Sequence, residues 1–340
     1  MQPREVDVCI VGGGVAGLAA ACAFRKAGRS VLVLERREQT LSGDPHRGDL
    51  LAFGVPAILA GWGIDLELRD AQRLRRSRVD PESGRPIDVE FGGSVEAFAL
   101  PHSQVEEALL DAALSLGAEV FMGWQLQATY LDDSARLRRL TAVSLRDGVE
   151  VRAKLVVGAD GRSSKVRQAM DLKRHTSIEP AHDVVAFEAT LAEGPSARMN
   201  DAWVVHVGPA GGSFQVPVGP ERVRVLVPVK RGDGTLLVAM EGRELAAAVA
   251  NRTSLPAGAT VDGQRCRNYE LTDGFHYANY VSKGAVVIGD AAHVAAPPAP
   301  VGMRMAIEDA AALGTLVGPA LAEGDRGLDK ALSKYELVRW

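Results

Sequence analysis

An apolar run, Val6-Asp7-Val8-Cys9-Ile10-Val11, leads into Gly12-Gly13-Gly14-Val15-Ala16-Gly17, then an alanine-rich stretch, then Val31-Leu32-Val33-Leu34-Glu35. Strand, tight turn, helix and a second strand closed by an acid is the order that raises a G-x-G-x-x-G match above chance. Each glycine serves a physical purpose. Gly12 takes the angles of a sharp turn, Gly14 lets a pyrophosphate approach the main chain, and Gly17 lets the helix lie close on the strand. The helix start, with Val15 and Ala16, offers unpaired N–H groups to phosphates, and Glu35 is placed to accept hydrogen bonds from a ribose. The chain therefore opens as a dinucleotide-binding unit.

With 340 residues and an apolar fraction of 46%, the chain can form one large domain or two modest ones around a substantial core. The net charge is −4, with acids and bases interspersed, so no overall basic field exists to hold a nucleic acid, and none is expected as partner. The local cluster Arg73, Arg75, Arg76 and Arg78 has no interleaved aromatics and reads as a solvated face. Cys9, Cys22 and Cys266 form no metal-spaced pair and no even-numbered framework; they read as small buried hydrophobes of a reducing compartment, and no metal site is expected. Val8 to Phe24 lacks charge, but its glycines and its place between strand and helix argue against a signal or integral membrane segment. No other run approaches the length of a span, so a soluble cytoplasmic protein is expected.

Beyond Glu35, residues Arg36 to Asp49 read as a loop, Leu50 to Leu59 as a helix, and Gln104 to Leu116 as a helix closed by Gly117. Arg138 to Val151 reads as a β-ribbon turning at Asp147-Gly148 and running into Lys154-Leu155-Val156-Val157-Gly158-Ala159-Asp160-Gly161, a buried strand ending in a carboxylate. Asp160 thus falls at the carboxyl end of a sheet, where α/β folds place ligands. Four β-rich runs, Val184 to Leu191, Ala202 to Val207, Ser213 to Val218 and Val223 to Val229, suggest an inserted antiparallel sheet. Ala246 to Val249 belongs to a helix, Gly284 to Asp290 resumes the buried-strand pattern, and Met303 to Val317 is a helix.

Three separated pieces coincide: Gly12 to Gly17; Gly158-Ala159-Asp160-Gly161-Arg162-Ser163; and Gly289-Asp290-Ala291-Ala292-His293 followed by Pro297 and Glu308-Asp309-Ala310. In order and spacing they resemble the single-component (group A) flavoprotein aromatic monooxygenases of the para-hydroxybenzoate hydroxylase type, over nearly the whole chain. The first piece alone also admits NAD. The resemblance implies an α/β, Rossmann-like FAD-binding domain of the GR2 flavoprotein type with an inserted, mostly antiparallel β-sheet substrate domain. The expected FAD-binding part comprises 1–75, 100–180 and 280–340, and the substrate part 76–99 and 181–279. By resemblance the FAD contacts are Gly12, Gly14, Val15, Ala16, Gly17, Glu35, Arg36 beside the adenine, Arg47 near the flavin, Leu126 through its backbone, Asp160, Gly161, Asp290, Pro297, Gly302 and Met303. His102 stands where relatives often place a flavin-contacting arginine and reads as a surface histidine; His293 reads as a structural hydrogen-bonding residue.

The activity implied is hydroxylation or epoxidation of an aromatic, quinone-like or polyketide-type small molecule. NADH or NADPH, bound transiently, reduces FAD, and O2 adds to give a flavin C4a-hydroperoxide. No protein nucleophile is then needed. Candidate substrate contacts are His206 and Gln215 on the inserted strands, with register deciding their direction, and Pro298. Relatives follow the last motif with Pro-x-x-Gly-Gln-Gly-x-Asn, whereas here Pro300, Val301 and Arg304 replace glycine, glutamine and asparagine. Proline removes a donor, so the isoalloxazine is expected to be held differently. Two other readings follow from the same residues: an FAD-dependent reductase or oxidase without oxygen insertion, and a flavin-deficient binding protein.

Overall fold

The protein was analysed as a computed structural model that describes residues 3–38, 48–69, 71–92, 95–131, 138–143, 147–172, 174–178, 182–191, 201–219, 221–240, 242–256, 259–261, 266–269, 274–277, 279–282, 284–294, 301–323 and 325–339. Strand Arg4–Val11 lies at the centre of the first sheet, parallel to Val31–Glu35 on one side and to Gly148–Gly158 on the other. Glu119–Met122 extends the sheet beyond Val31–Glu35, and Ala285–Val287 extends it beyond Gly148–Gly158, again in parallel. An antiparallel ribbon, Gln125–Tyr130 with Arg138–Val143, hangs on the strand Gly148–Gly158. Parallel strands buried on both faces require continuous apolar runs, and Val8, Cys9, Ile10, Leu32 and Val33 are fully buried.

Helix Val15–Lys26 packs on this sheet and is alanine-rich for a steric reason. Helix Gly302–Leu316 crosses it so closely that a Cβ on Gly314 would lie 2.6 Å from Ala23 Cβ. The stretch Gly302–Ala322 is, by length and composition, apolar enough to cross a membrane, which corrects the expectation that no second run approaches a span. Over half of it is buried within the fold. Helix Asp325–Arg339 then packs on its outer side, with Arg339 Nε donating to the buried Asp309 at 2.7 Å.

The second large sheet runs in the order Thr260–Val261, His182–Thr190, Arg222–Lys230, Gly211–Gly219, Ala202–Gly208, Arg76–Pro81, Ile87–Glu90, with Arg267–Tyr269 also paired to His182–Thr190. A small sheet of Gly48–Ala52, Ala97–Pro101 and Gln72–Leu74 packs against it. Two local expectations are corrected here. Residues 50–52 are strand, and the helix begins only at Val55, because Phe53 and Gly54 both take positive φ, +55° and +95°, and end the extended run. The arginine cluster is not a solvated face throughout: Arg78 is 8% exposed and paired with Asp88 at 3.0 Å, and Arg76 Nε donates to Asp201 at 2.9 Å.

Candidate active site

Register brings the three motifs together. Val11 pairs with Gly158 and with Leu34, and Gly158 pairs with Val287, so the turns at Gly12, Glu35, Asp160 and Asp290 all leave the same carboxyl edge. Neighbouring strands lie about 4.8 Å apart, so this edge is a crevice of nucleotide dimensions. Gly12 has φ +106° and a Cβ there would meet Ala159 O at 2.3 Å; a Cβ on Gly17 would fall 1.8 Å from Gly12 O. Both positions admit only glycine. By contrast a Cβ on Gly14 would meet nothing nearer than Glu106 Oε1 at 3.6 Å, leaving room beside the main chain.

The helix starts at Val15 and at Gly302 both lack a side-chain cap. Gly289, φ +56°, is wedged between them, since a Cβ there would lie 3.0 Å from Ala16 Cβ and 3.4 Å from Ala306 Cβ. The first turn of helix Val15–Lys26 and the second turn of helix Gly302–Leu316 therefore pack on the Gly289-Asp290 turn, which brings two uncapped helix starts to the same side of the sheet. Each carries the positive end of a helix dipole, suited to a pyrophosphate at one and an electron-rich ring edge at the other. Asp290 is 42% exposed beside Arg162 Nε at 3.5 Å. Asp160 accepts the N–H groups of Lys165 at 2.7 Å and Val166 at 3.4 Å through Oδ2, while its buried Oδ1 has no partner. Burial pushes its pKa up, and the bonds from Ser164 and Lys165 offset this only in part. An orphaned carboxylate oxygen and a cradle that Cβ atoms would fill fit a dinucleotide at this edge.

Arg167 holds the two acidic turns together, donating to Arg162 O at 2.5 Å and Ala291 O at 2.8 Å while lying over the Tyr277 ring. Asp309, 1% exposed, gathers Gly289 N–H at 2.9 Å, His293 Nε2 at 2.8 Å and Arg339. His293 is thus a buried hydrogen-bonding residue of the turn, as read from the sequence.

Glu35 accepts Gly13 N–H at 2.5 Å and Arg37 N–H at 2.8 Å, and the Arg37 guanidinium lies 3.1 Å away. Arg37 also reaches Glu106 at 3.1 Å, with His102 Nε2 3.4 Å from the same carboxylate. Burial alone would raise the Glu106 pKa, but His102 and Arg37 outweigh it and hold the carboxyl below its usual range. Arg36 is exposed, and its neighbour Arg37 is the one seated on Glu35. His102 is corrected from a surface residue to a partly buried member of this cluster, its side chain 15% exposed. Leu126 is buried, with its carbonyl accepting Lys165 Nζ at 3.0 Å. Arg47, Pro297, Pro298 and Pro300 lie outside the described residues.

Between the sheets is a cavity of about 500 Å³ lined by Leu50, Ala52, Phe53, Trp203, Val205, Phe214, Val301 and Arg304, among others. Alternation along a strand sets which side chains reach it. Val205 pairs with Phe214 and Val207 with Gly212 on the cavity face, whereas His206 pairs with Ser213 and Val204 with Gln215 on the other. Of the two substrate candidates, His206 is among the residues that line the cavity, though by register it shares the far face with Ser213 and its ring makes no hydrogen bond, whereas Gln215 is not among them and donates to Ser213 at 3.0 Å and Ser254 at 2.9 Å. Phe53 closes the opposite wall. Its ring stands edge-on to Trp203 at 6.0 Å, and the Arg304 guanidinium lies 5.4 Å from its centroid. No sequence pattern pointed to Arg37, Glu106, Phe53 or Trp203, whose roles depend on contacts between remote segments.

A parallel sheet whose motif turns share one carboxyl edge and an apolar cavity under a second sheet together give the architecture of a nucleotide-binding α/β protein with a separate cavity. The chain belongs to the FAD binding domain family, which matches residues 5–339. It is 31% identical over 351 residues to ubiquinone hydroxylase UbiL of Rhodospirillum rubrum, covering 99% of this chain and 78% of that protein. Among solved structures it superposes on PqsL of Pseudomonas aeruginosa in complex with 2-aminobenzoylacetate with TM-score 0.80 and 22% identity, covering 99% and 92% of the two chains. It also superposes on p-nitrophenol 4-monooxygenase PnpA of Pseudomonas putida with TM-score 0.83 and 20% identity, covering 99% and 86%. The fold is that of FAD-dependent monooxygenases, and FAD is the cofactor of the family.

Proposed function

We propose that this protein is an FAD-dependent monooxygenase that hydroxylates or epoxidises an aromatic, quinone-like or polyketide-type small molecule with NADH or NADPH and O2. The observation that carries this reading is the cavity of about 500 Å³ abutting Val301 and Arg304, the start of the helix that also faces the Gly289-Asp290 turn. Substrate and cofactor chambers thus share one wall. FAD, when bound, supplies hydride acceptance and oxygen activation. Gly12, Gly14, Val15, Ala16 and Gly17 would hold its pyrophosphate by main-chain N–H groups, and Glu35 the ribose, where it must share its oxygens with Arg37. Asp160 and Gly161 would lie at the centre of the crevice, Asp290 beside the ribityl hydroxyls, and Gly302 and Met303 at the flavin edge.

The substrate chamber does its own work. Phe53, Trp203 and Phe214 offer ring faces and edges to a flat molecule, and the apolar lining excludes water. Arg304 is the cation of that lining, placed to hold an acidic ring oxygen in its ionised form. No side chain of the cavity is required as nucleophile.

The test is an NAD(P)H-oxidation screen of phenols, hydroxyquinones and polycyclic aromatics on FAD-reconstituted protein, with heavy-oxygen gas. One labelled oxygen atom per product is expected. Saturation of a double bond without label would make it a reductase, and failure to take up FAD would overturn the flavoenzyme reading altogether.

A further inference from the structure

The cavity face of the second sheet does not stop at the cavity. Its register carries the row onward: Val205 lies beside Val79, and Val79 beside Ile87; Trp203 lies beside Ser77, and Ser77 beside Val89. These outer side chains are open, with Val79 37%, Ile87 59% and Val89 53% exposed, and at the cavity mouth Val207 is 52% and Phe53 50% exposed. The opposite parity of strand Arg76–Pro81 is charged and better covered, while on the outer strand Asp88 and Glu90 are exposed as well. Arg78, 8% exposed, pairs with Asp88 at 3.0 Å, and Arg76 pairs with Asp88 at 3.2 Å. A half-solvated sheet normally turns its charges to water and its valines inward. Here that polarity is reversed at the edge beside the cavity.

We propose that this strip is a second subsite, a track for a linear apolar tail on the substrate whose ring occupies the cavity. The inference rests on the aromatic-substrate reading above. Val205 and Val207 belong to both cavity wall and strip, so ring and tail sites are continuous. From Val205 to Ile87 the row crosses two strand spacings, about 10 Å. A strip this narrow is well below the roughly 800 Å² per partner that a stable protein interface buries. Within the two strands Arg76 and Arg78 lie on the other face, so among their described residues this row carries no cation to match a phospholipid headgroup. A single hydrocarbon chain is the occupant that fits its width.

The experiment uses the FAD-loaded protein and a 2-hydroxy-3-alkyl-1,4-naphthoquinone series from the tailless ring to the dodecyl homologue, with binding read by tryptophan quenching. Complete burial of a methylene is worth about fourfold in affinity, and a tail lying on a surface buries about half of each, so Kd should fall about twofold per methylene. The gain should level off once the tail passes the sheet edge. The double variant Ile87→Ser, Val89→Ser should flatten the series while leaving Kd for the tailless ring and FAD retention within twofold. Ring binding with no dependence on tail length, or an unchanged slope in the variant, overturns the track but leaves the aromatic reading standing. Failure of every ring to bind overturns both. A dimer in sedimentation that the double variant dissociates, or a variant-sensitive association with phosphatidylcholine–phosphatidylglycerol vesicles in the absence of tail dependence, overturns it in favour of those occupants.

Discussion

Gly289→Ala probes the joint on which the cofactor edge depends. Two costs add. At φ +56° an L-residue sits in the left-handed region, which costs about 1–2 kcal/mol. The new methyl would lie 3.0 Å from Ala16 Cβ and 3.4 Å from Ala306 Cβ, so the two helix starts must part by several tenths of an ångström; overpacking of this kind costs about 1–3 kcal/mol. The sum is a loss of about 2–5 kcal/mol, read from urea unfolding of the FAD-free protein. FAD affinity, read from quenching of flavin fluorescence, should fall at least about tenfold, a change of 1.4 kcal/mol, because the displaced helix starts carry the N–H groups offered to the cofactor. Ala16→Gly opens one side of the wedge at a helix-propensity cost of about 1 kcal/mol or less. Combined with Gly289→Ala it should recover about 1 kcal/mol relative to additivity, leaving the backbone strain. Unfolding within about 0.5 kcal/mol of wild type, together with FAD affinity within twofold, would refute this account of the joint; that margin is the usual effect of a surface substitution.

Arg304→Met removes the cation of the cavity lining. It should raise KM for a substrate with an acidic ring oxygen about tenfold to a hundredfold, the worth of a charged hydrogen bond, and leave KM for its O-methyl ether unchanged in steady-state assays. Arg339→Met strips a guanidinium from Asp309, which is 1% exposed, and should destabilise the protein by about 3–5 kcal/mol in urea; Asp309→Asn in the same chain should restore part of that. Glu106 has a folded-state pKa below its unfolded value, so its stabilising contribution is complete above the ordinary carboxylate range and is lost as pH falls through the lowered value. Glu106→Gln should therefore flatten the acid side of the stability profile measured by thermal melts from neutral to acidic pH.

The cofactor edge was legible in sequence because its chemistry is local. Gly12, Gly17 and Gly289 are each required by a close backbone approach, and Asp160 and Asp290 each follow a buried apolar strand, signals that survive without knowledge of the partner segment. The cavity proposed as the substrate chamber was not legible, because its lining depends on strand parity. Both faces of Ala202–Gly208 carry valines, Val204 on one side and Val205 and Val207 on the other, so the pattern does not say which face His206 shares. Only pairing with Phe214 and Ser213 settles it. Leu50–Ala52 misleads for a related reason. Its apolar residues fit a helical period that Phe53 and Gly54, both at positive φ, interrupt.

The substitutions at Val301 and Arg304 act on one wall with two faces. The cofactor side of a helix start is served by main-chain N–H groups, which valine and arginine keep as fully as glutamine and asparagine do. Val301 O accepts the N–H of Met305 at 2.9 Å and the first turn remains regular, with no side chain capping it. The side chains project the other way, and both Val301 and Arg304 border the cavity. On the proposed function, their departure from the family pattern would therefore change the chemistry of the cavity wall more than that of the flavin edge. Glutamine and asparagine would place neutral amides there. Valine makes the wall apolar, and arginine concentrates its polarity in one cation tethered to Glu308 at 2.7 Å and laid over Phe53. On the proposed function, a chamber built this way would select a flat apolar ligand with one acidic oxygen, which is the reading that the Arg304 and O-methyl ether comparison tests directly.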